Sequence, residues 1–159
     1  MAQTIAPGGS MHHIDIPPVW TLGAWLLAGA LSWALPAPGW AGVEGLRWLG
    51  LLWIGIAVLM VLWAGLVFLR HKTPIEPGRT PRALVTTGPF RLSRNPIYLA
   101  MVVSTLGAVL WLGSAVALLV PLALWRVLDR RFASPEEDLL RATFGAEADA
   151  YIAKRRRWV

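Results

Sequence analysis

The stretch WLGLLWIGIAVLMVLWAGLVFL, residues 48–69, contains no charged side chain. A helix of that length, rising about 1.5 Å per residue, can cross a hydrocarbon core of roughly 30 Å. The whole chain shares this character: 56% of its residues are hydrophobic and 15% are charged, whereas a soluble domain carries about 25% charged residues. The segment therefore predicts a transmembrane helix in a membrane protein.

A second apolar segment, residues 96–125, is uncharged over 30 residues. As one helix it would be about 45 Å long, which is too long for a single crossing. Gly113 and Ser114 lie near its middle, and Pro121 lies further on. We therefore predict a helical hairpin that turns at Gly113-Ser114, with a kink at Pro121 that a membrane bundle tolerates.

A further segment, residues 19–35, lies between Pro17-Pro18 and a Pro-Ala-Pro-Gly turn, so it also qualifies as a span. The predicted fold class is all-α. We expect an integral membrane bundle of four transmembrane helices with a cytoplasmic C-terminal helix, formed as a single domain over residues 1–159. The predicted spans are residues 19–35, 48–69, 97–112 and 115–131, and the predicted cytoplasmic tail is residues 132–159.

The basic residues are distributed unevenly. Of the fifteen Lys and Arg residues, only Arg47 precedes Arg70. Because cytoplasmic loops carry an excess of Lys and Arg, we predict that both termini and the loop over residues 70–94 face the cytoplasm. The net charge of +6 then indicates contact with anionic membrane lipids, and no nucleic acid partner is predicted.

Metal chemistry has little support in the sequence. The chain has no cysteine, which excludes disulfides, thiolate catalysis and cysteine-based metal sites. His12 and His13 are adjacent, so their side chains diverge, and no third ligand lies nearby. We predict a flexible tail there and no metal site.

The stretch GPFRLSRNPIYLA, residues 88–100, is polar and rich in turn residues although it leads directly into an apolar segment. Pro96 suits a first helical turn, and Asn95 suits the N-cap position before it. Arg91 and Arg94 lie just ahead of them. On charge alone, both arginines would contact lipid phosphates at the cytoplasmic surface.

The C-terminal residues, 130–159, read RRFASPEEDLLRATFGAEADAYIAKRRRWV. Ser134 as N-cap, followed by Pro135 and two glutamates, is typical of a helix start. The apolar side chains suit one face of an interfacial helix interrupted at Gly145, and the three consecutive arginines suit a lipid-phosphate anchor. The apolar residues are Leu139, Leu140, Phe144 and Tyr151.

Together these two segments, with a hairpin between them, resemble the isoprenylcysteine carboxyl methyltransferase and phospholipid methyltransferase superfamily. Its members are integral membrane enzymes that use S-adenosylmethionine. The first family motif falls on Arg94, Asn95, Pro96, Tyr98 and Ala100, and the second on Glu136, Glu137, Leu140, Phe144, Gly145 and Tyr151. Asn95, Ala100 and Ala148 stand where many members have His, Gly and Tyr. Residues 70–90, RHKTPIEPGRTPRALVTTGPF, are similar to the bacterial members, which implies a location in a bacterial inner membrane.

The resemblance implies methyl transfer from S-adenosylmethionine to a lipophilic acceptor. Arg94 and Glu137 are the implied catalytic residues. Arg94 suits the carboxylate of the cofactor, the two glutamates suit its ammonium group, and aromatic rings suit its adenine or sulfonium. The implied cofactor-binding residues are Gly88, Pro89, Phe90, Arg94, Asn95, Pro96, Tyr98, Glu136, Glu137, Phe144 and Tyr151.

Two alternatives remain at this stage. Membrane sterol reductases that use NADPH share a similar C-terminal arrangement, although a 2′-phosphate favours cations over a pair of carboxylates. A non-catalytic membrane scaffold could also keep the fold. The acceptor is open among an isoprenylcysteine-like carboxylate, a phospholipid amine, a quinone-like or sterol-like oxygen and a small thiol, and so is the oligomeric state.

Overall fold

The computed structural model describes residues 15–35, 39–74, 76 and 78–159. All regular secondary structure in these residues is helical, which confirms the all-α fold class. The predicted flexible segment at His12-His13 and the predicted end of the first span at residues 36–38 lie outside the described residues.

The main helices follow the apolar segments of the sequence. Short 3₁₀ helices cover Gly88–Arg91 and Val116–Leu118, and a π-helical segment covers Asp129–Ala133. The α-helices are α1 (Pro17–Ala34), α2 (Glu44–Arg70), α3 (Pro96–Leu112), α4 (Leu119–Leu128), α5 (Ser134–Phe144) and α6 (Ala146–Lys154).

Helix α2 contains the predicted span and extends beyond it at both ends. With 27 residues, it is the one helix in the described part of the chain that is long and apolar enough to cross a membrane, and α3 is a shorter apolar helix. Glu44 lies in the first turn of α2 and Arg70 in its last turn. These charges oppose the helix macrodipole, which explains why the helix continues past the uncharged run.

Helices α2 and α3 pack extensively against each other, and glycine allows their backbones to touch. A Cβ atom on Gly50 would lie 2.4 Å from the carbonyl oxygen of Gly107, and one on Gly107 would lie 2.6 Å from that of Gly50. Small residues at helix crossings are typical of membrane bundles. On the other side of α3, Trp25 of α1 donates a hydrogen bond to Thr105 at 3.2 Å.

The predicted hairpin turns where expected, because Gly113 ends α3 with a left-handed φ of 73°. The second arm differs from the prediction. Pro121 is the third residue of α4, in the first turn, where an N–H has no intrahelical acceptor to lose. The irregular geometry lies instead in the 3₁₀ turn before α4 and the π-helical segment after it.

The predicted helix start at Ser134 is wrong, because the helix continues through the π-helical segment into α5. Ser134 is not an N-cap: its φ of −65° and ψ of −50° are helical, and its Oγ accepts a hydrogen bond from Arg157 at 3.0 Å. Pro135 has no N–H to offer the preceding turn, and its ring crowds the carbonyl four residues earlier, which explains the wider π turn just before it. As predicted, Gly145 separates α5 from α6, with a φ of 53°.

Candidate active site

A cavity of about 360 Å³ lies between the start of α3, the loop after α2, α5 and Tyr151 of α6. Its volume is at the lower end of the roughly 300–1,000 Å³ that is usual for small-molecule sites. Most of its lining is apolar. Among the polar side chains that line it are Arg94, Glu136 and Glu137.

The segment that leads into α3 forms one wall of this cavity. Gly88 has a φ of 60°, and a Cβ there would lie 2.9 Å from the side chain of Val67 in α2, so glycine lets the segment turn close to α2. Pro96 begins α3 and Asn95 is the N-cap, as predicted, but the Asn95 side chain makes no capping hydrogen bond. Its Nδ2 donates instead to the carbonyl of Arg157, at 3.5 Å.

Arg94 is largely buried, with its side chain 11% exposed. Its Nη2 lies 3.2 Å from Oε1 of Glu137, while its Nε and Nη1 are buried and have no hydrogen-bond partner among the described residues. Burial lowers the pKa of Arg94, and the charge of Glu137 acts in the opposite direction. Buried donors without partners are costly, so this guanidinium is suited to an anionic ligand in the cavity.

Glu136 is half-buried beside the same cavity. The hydroxyl of Tyr98 donates a hydrogen bond to Oε1 of Glu136 at 2.5 Å. Burial raises the pKa of Glu136 to about 7, against the opposing effect of that hydrogen bond. No ion pair forms at Glu136 within the part of the chain that the structure describes, so its carboxylate is suited to a cationic group.

Glu137 has a different environment, although it is the next residue. Its side chain is 4% exposed, and both of its oxygens accept hydrogen bonds from Arg157, at 2.7 and 2.8 Å. Arg94 is a second cation beside it. The hydrogen bond with Glu137 is the largest of the effects that raise the pKa of Arg157. The charge of Glu137 is thus already balanced by protein groups.

Two aromatic residues complete this side of the cavity. Phe90 packs edge-to-face against Phe68, with 5.0 Å between the ring centroids. The hydroxyl of Tyr151 in α6 donates a 2.9 Å hydrogen bond to the carbonyl of Phe90, which ties the C-terminal helix to the wall before α3. Burial raises the pKa of Tyr151 to about 12, so this hydroxyl remains a donor at neutral pH.

Most of the residues predicted from the sequence lie around one cavity. Gly88, Pro89 and Phe144 do not line it, and Gly88 instead borders an open groove beside Trp63 on another side of the segment. The predicted residues that line the cavity are Phe90, Arg94, Asn95, Pro96, Tyr98, Glu136, Glu137 and Tyr151.

Arg157 is the functional candidate that the sequence prediction missed. The sequence pattern assigns it to a lipid-phosphate anchor, yet its guanidinium lies 2.7 Å from Glu137 and 3.1 Å from Asp129. Arg155 and Arg156, its neighbours, are exposed as the anchor requires. Three identical residues in a row give no sequence signal that would separate the inward arginine from the outward ones.

These features define an all-helical protein with a helix of membrane-spanning length and an apolar cavity that presents a cation and a carboxylate. The family model for phospholipid methyltransferase matches residues 46–147, which is more than half of the chain, and the protein belongs to that family. The family indicates a membrane protein and a methyltransferase of the membrane-lipid type. Comparisons with curated proteins and with solved structures gave no match.

Proposed function

We propose that the protein is an enzyme that transfers a methyl group from S-adenosylmethionine to a lipophilic acceptor. The observation that carries this proposal is that Arg94 and Glu136 line the same cavity. Arg94 has two buried donors without partners, and Glu136 has a carboxylate without an ion pair among the described residues. Together they match the carboxylate and the ammonium of an amino-acid moiety.

The remaining features of the cavity are compatible with the rest of S-adenosylmethionine. When bound, the cofactor supplies an electrophilic methyl group on a sulfonium. Phe90 and Tyr98 line the cavity and offer ring faces for adenine or for the sulfonium. The contribution of the protein is to orient the reacting groups and to exclude water, because methyl transfer depends on alignment more than on an acid or a base.

The apolar lining supports a lipophilic acceptor. Val85 and Ile97 contribute on one side, Met101 lies one turn further along α3, and Leu139 and Leu140 contribute from α5. These side chains favour a hydrocarbon chain beside the charged end of the cavity. We propose that the acceptor resembles an isoprenylcysteine carboxylate or a phospholipid, taken from the surrounding lipid.

We further propose four crossings of a bacterial inner membrane in one domain, with α1, α2 and α3 as three of the spans and the arm over residues 115–131 as the fourth. Large apolar side chains exposed on α1 and α4, such as Leu26 at 67% and Leu119 at 66%, support contact with lipid. The concentration of basic residues from Arg70 onward supports cytoplasmic termini.

Topology reporters test this orientation. A reporter fused after Val159 is expected to be cytoplasmic, and one inserted at Gly42, between α1 and α2, is expected to be external, because the basic residues retain their loops in the cytoplasm. Each position is tested with one reporter that is active only in the cytoplasm and one that is active only outside it, and the activity of each fusion is measured. The reverse pattern would place the cavity on the external side and contradict the proposal.

Calorimetry on the purified protein tests the cofactor. We expect S-adenosylhomocysteine to bind with a dissociation constant in the micromolar range, which corresponds to a binding free energy of about −8 kcal/mol. NADPH is expected not to bind, because the two arginines that line the described part of the cavity each have a carboxylate beside them, Glu76 at Arg79 and Glu137 at Arg94, which disfavours a 2′-phosphate. Binding of NADPH without binding of S-adenosylhomocysteine would favour a reductase, and binding of neither would favour a scaffold. Labelled cofactor incubated with lipid extracts then identifies the acceptor.

A further inference from the structure

The last residues of the chain lie directly behind the wall that carries Arg94. The carbonyl of Arg156 accepts a hydrogen bond from the backbone N–H of Arg94 at 3.1 Å. The carbonyl of Arg157 accepts one from Ser93 Oγ at 2.8 Å and one from Asn95 Nδ2 at 3.5 Å. We call residues 156–158 the C-terminal latch, since they join the chain end to this wall.

Side chains attach the latch to the helices on its other side. Nη1 of Arg157 donates to Asp129 at 3.1 Å and to Ser134 at 3.0 Å. The indole N–H of Trp158 also donates to Asp129, at 2.9 Å, and its ring lies edge-on to Trp125 with 6.1 Å between the centroids. The latch therefore connects the π-helical segment and α5 to the segment before α3.

The contact between Arg157 and Glu137 determines what Glu137 can do. Nε and Nη2 of Arg157 engage both oxygens of Glu137 in a two-point pair. Arg94 then reaches Glu137 with Nη2 alone, at 3.2 Å. Nε and Nη1 of Arg94 are left without partners, as an incoming carboxylate requires.

Without Arg157, the nearest cation to Glu137 would be Arg94. A carboxylate and a guanidinium favour a two-point pair, so Glu137 would engage one of the two donors of Arg94 that are otherwise free. We propose that Arg157 is a positioning residue: it occupies Glu137 and thereby reserves Arg94 for the carboxylate of the ligand. This inference rests on the proposed function and assigns a role that the lipid-anchor interpretation of the arginines did not include.

The proposal predicts that a second substitution restores the affinity that the first one lowers. Arg157→Gln is expected to weaken binding of S-adenosylhomocysteine about tenfold, which is the effect of losing access to one charge-assisted hydrogen bond. Adding Glu137→Gln to that variant is expected to restore most of the loss, because the competing carboxylate is removed. In the wild-type background, Glu137→Gln is expected to leave the affinity unchanged or lower it. Calorimetry and melting temperature are measured for all four proteins.

Control variants separate positioning from a general loss of structure. Arg155→Gln removes the same charge from an exposed side chain and is expected to bind as the wild type does. Trp158→Phe removes a hydrogen bond of the latch to Asp129 but leaves Arg157 and Glu137 intact. Its melting temperature is expected to fall, and adding Glu137→Gln to it is expected to give no gain in affinity.

The outcomes distinguish this inference from the proposed function. If the wild type does not bind S-adenosylhomocysteine, the proposed function fails. If the wild type binds and Arg157→Gln binds equally well, or if Glu137→Gln restores nothing, the positioning role is overturned and the proposed function stands. Should Arg157→Gln not fold, Arg157→Lys takes its place in the same comparison, because a single ammonium cannot hold both oxygens of Glu137 in the same planar arrangement.

Discussion

Replacing Arg94 by glutamine is expected to weaken binding of S-adenosylhomocysteine by about 30-fold to several thousand-fold, which corresponds to roughly 2–5 kcal/mol for removal of one partner of a shielded charge pair. Arg94 combines a buried guanidinium with two donors that lack partners among the described residues. Glutamine keeps a polar group at this position but has neither the charge nor the two-point geometry. Calorimetry with purified protein measures the change.

The melting temperature is expected to change much less than the affinity. Arg157 continues to balance Glu137 in this variant, and the substitution removes two buried donors that have no partner. Arg91→Gln is the matched control, because Arg91 lies three residues earlier and is exposed. Equal affinity of Arg94→Gln and the wild type, with both proteins folded, would remove Arg94 from the proposed site.

The sequence predicted those parts of the fold that depend on local properties. An uncharged apolar run needs only sufficient length to form a membrane helix, so residues 48–69 located α2. Proline at a helix start and glycine at a helix end act through their own backbone preferences. For this reason the predicted segment 97–112 differs from α3 only by the inclusion of Pro96.

The sequence failed where a distant residue determines the structure. Ser134-Pro135-Glu136-Glu137 has all the local features of a helix start, yet Ser134 lies within a continuous helix and accepts a hydrogen bond from Arg157, 23 residues away. No rule about neighbouring residues includes that partner. The position of Arg157 beside Glu137 was missed for the same reason.

The sequence also could not separate the roles of the two glutamates. Adjacent residues on a helix point in directions about 100° apart, as follows from 3.6 residues per turn. Packing then decides which of them faces the cavity without a cationic partner. Glu137 faces two arginines, whereas Glu136 faces the hydroxyl of Tyr98. We therefore propose that Glu136, and not Glu137, pairs with the ammonium of the cofactor.

Glu136→Gln provides the test of this assignment. It is expected to lower the affinity for S-adenosylhomocysteine by about 10-fold to 100-fold at about pH 8, because a hydrogen bond to a charged group contributes roughly 1.5–3 kcal/mol. Glutamine retains an oxygen that accepts from Tyr98, so the fold is expected to be preserved. Asp138→Asn is the matched control, because Asp138 is a nearby exposed carboxylate of α5. Its affinity is expected to equal that of the wild type.

The affinity for S-adenosylhomocysteine is also expected to depend on pH through Glu136. Because burial raises the pKa of Glu136 to about 7, its carboxylate becomes neutral as the pH falls through that value and can no longer balance an ammonium group. Arginine stays protonated throughout this range, so the carboxylate subsite is unaffected. The affinity of the wild type is therefore expected to fall between about pH 8 and about pH 6, whereas that of Glu136→Gln stays level. Parallel profiles for the two proteins would show that Glu136 does not carry the cationic subsite.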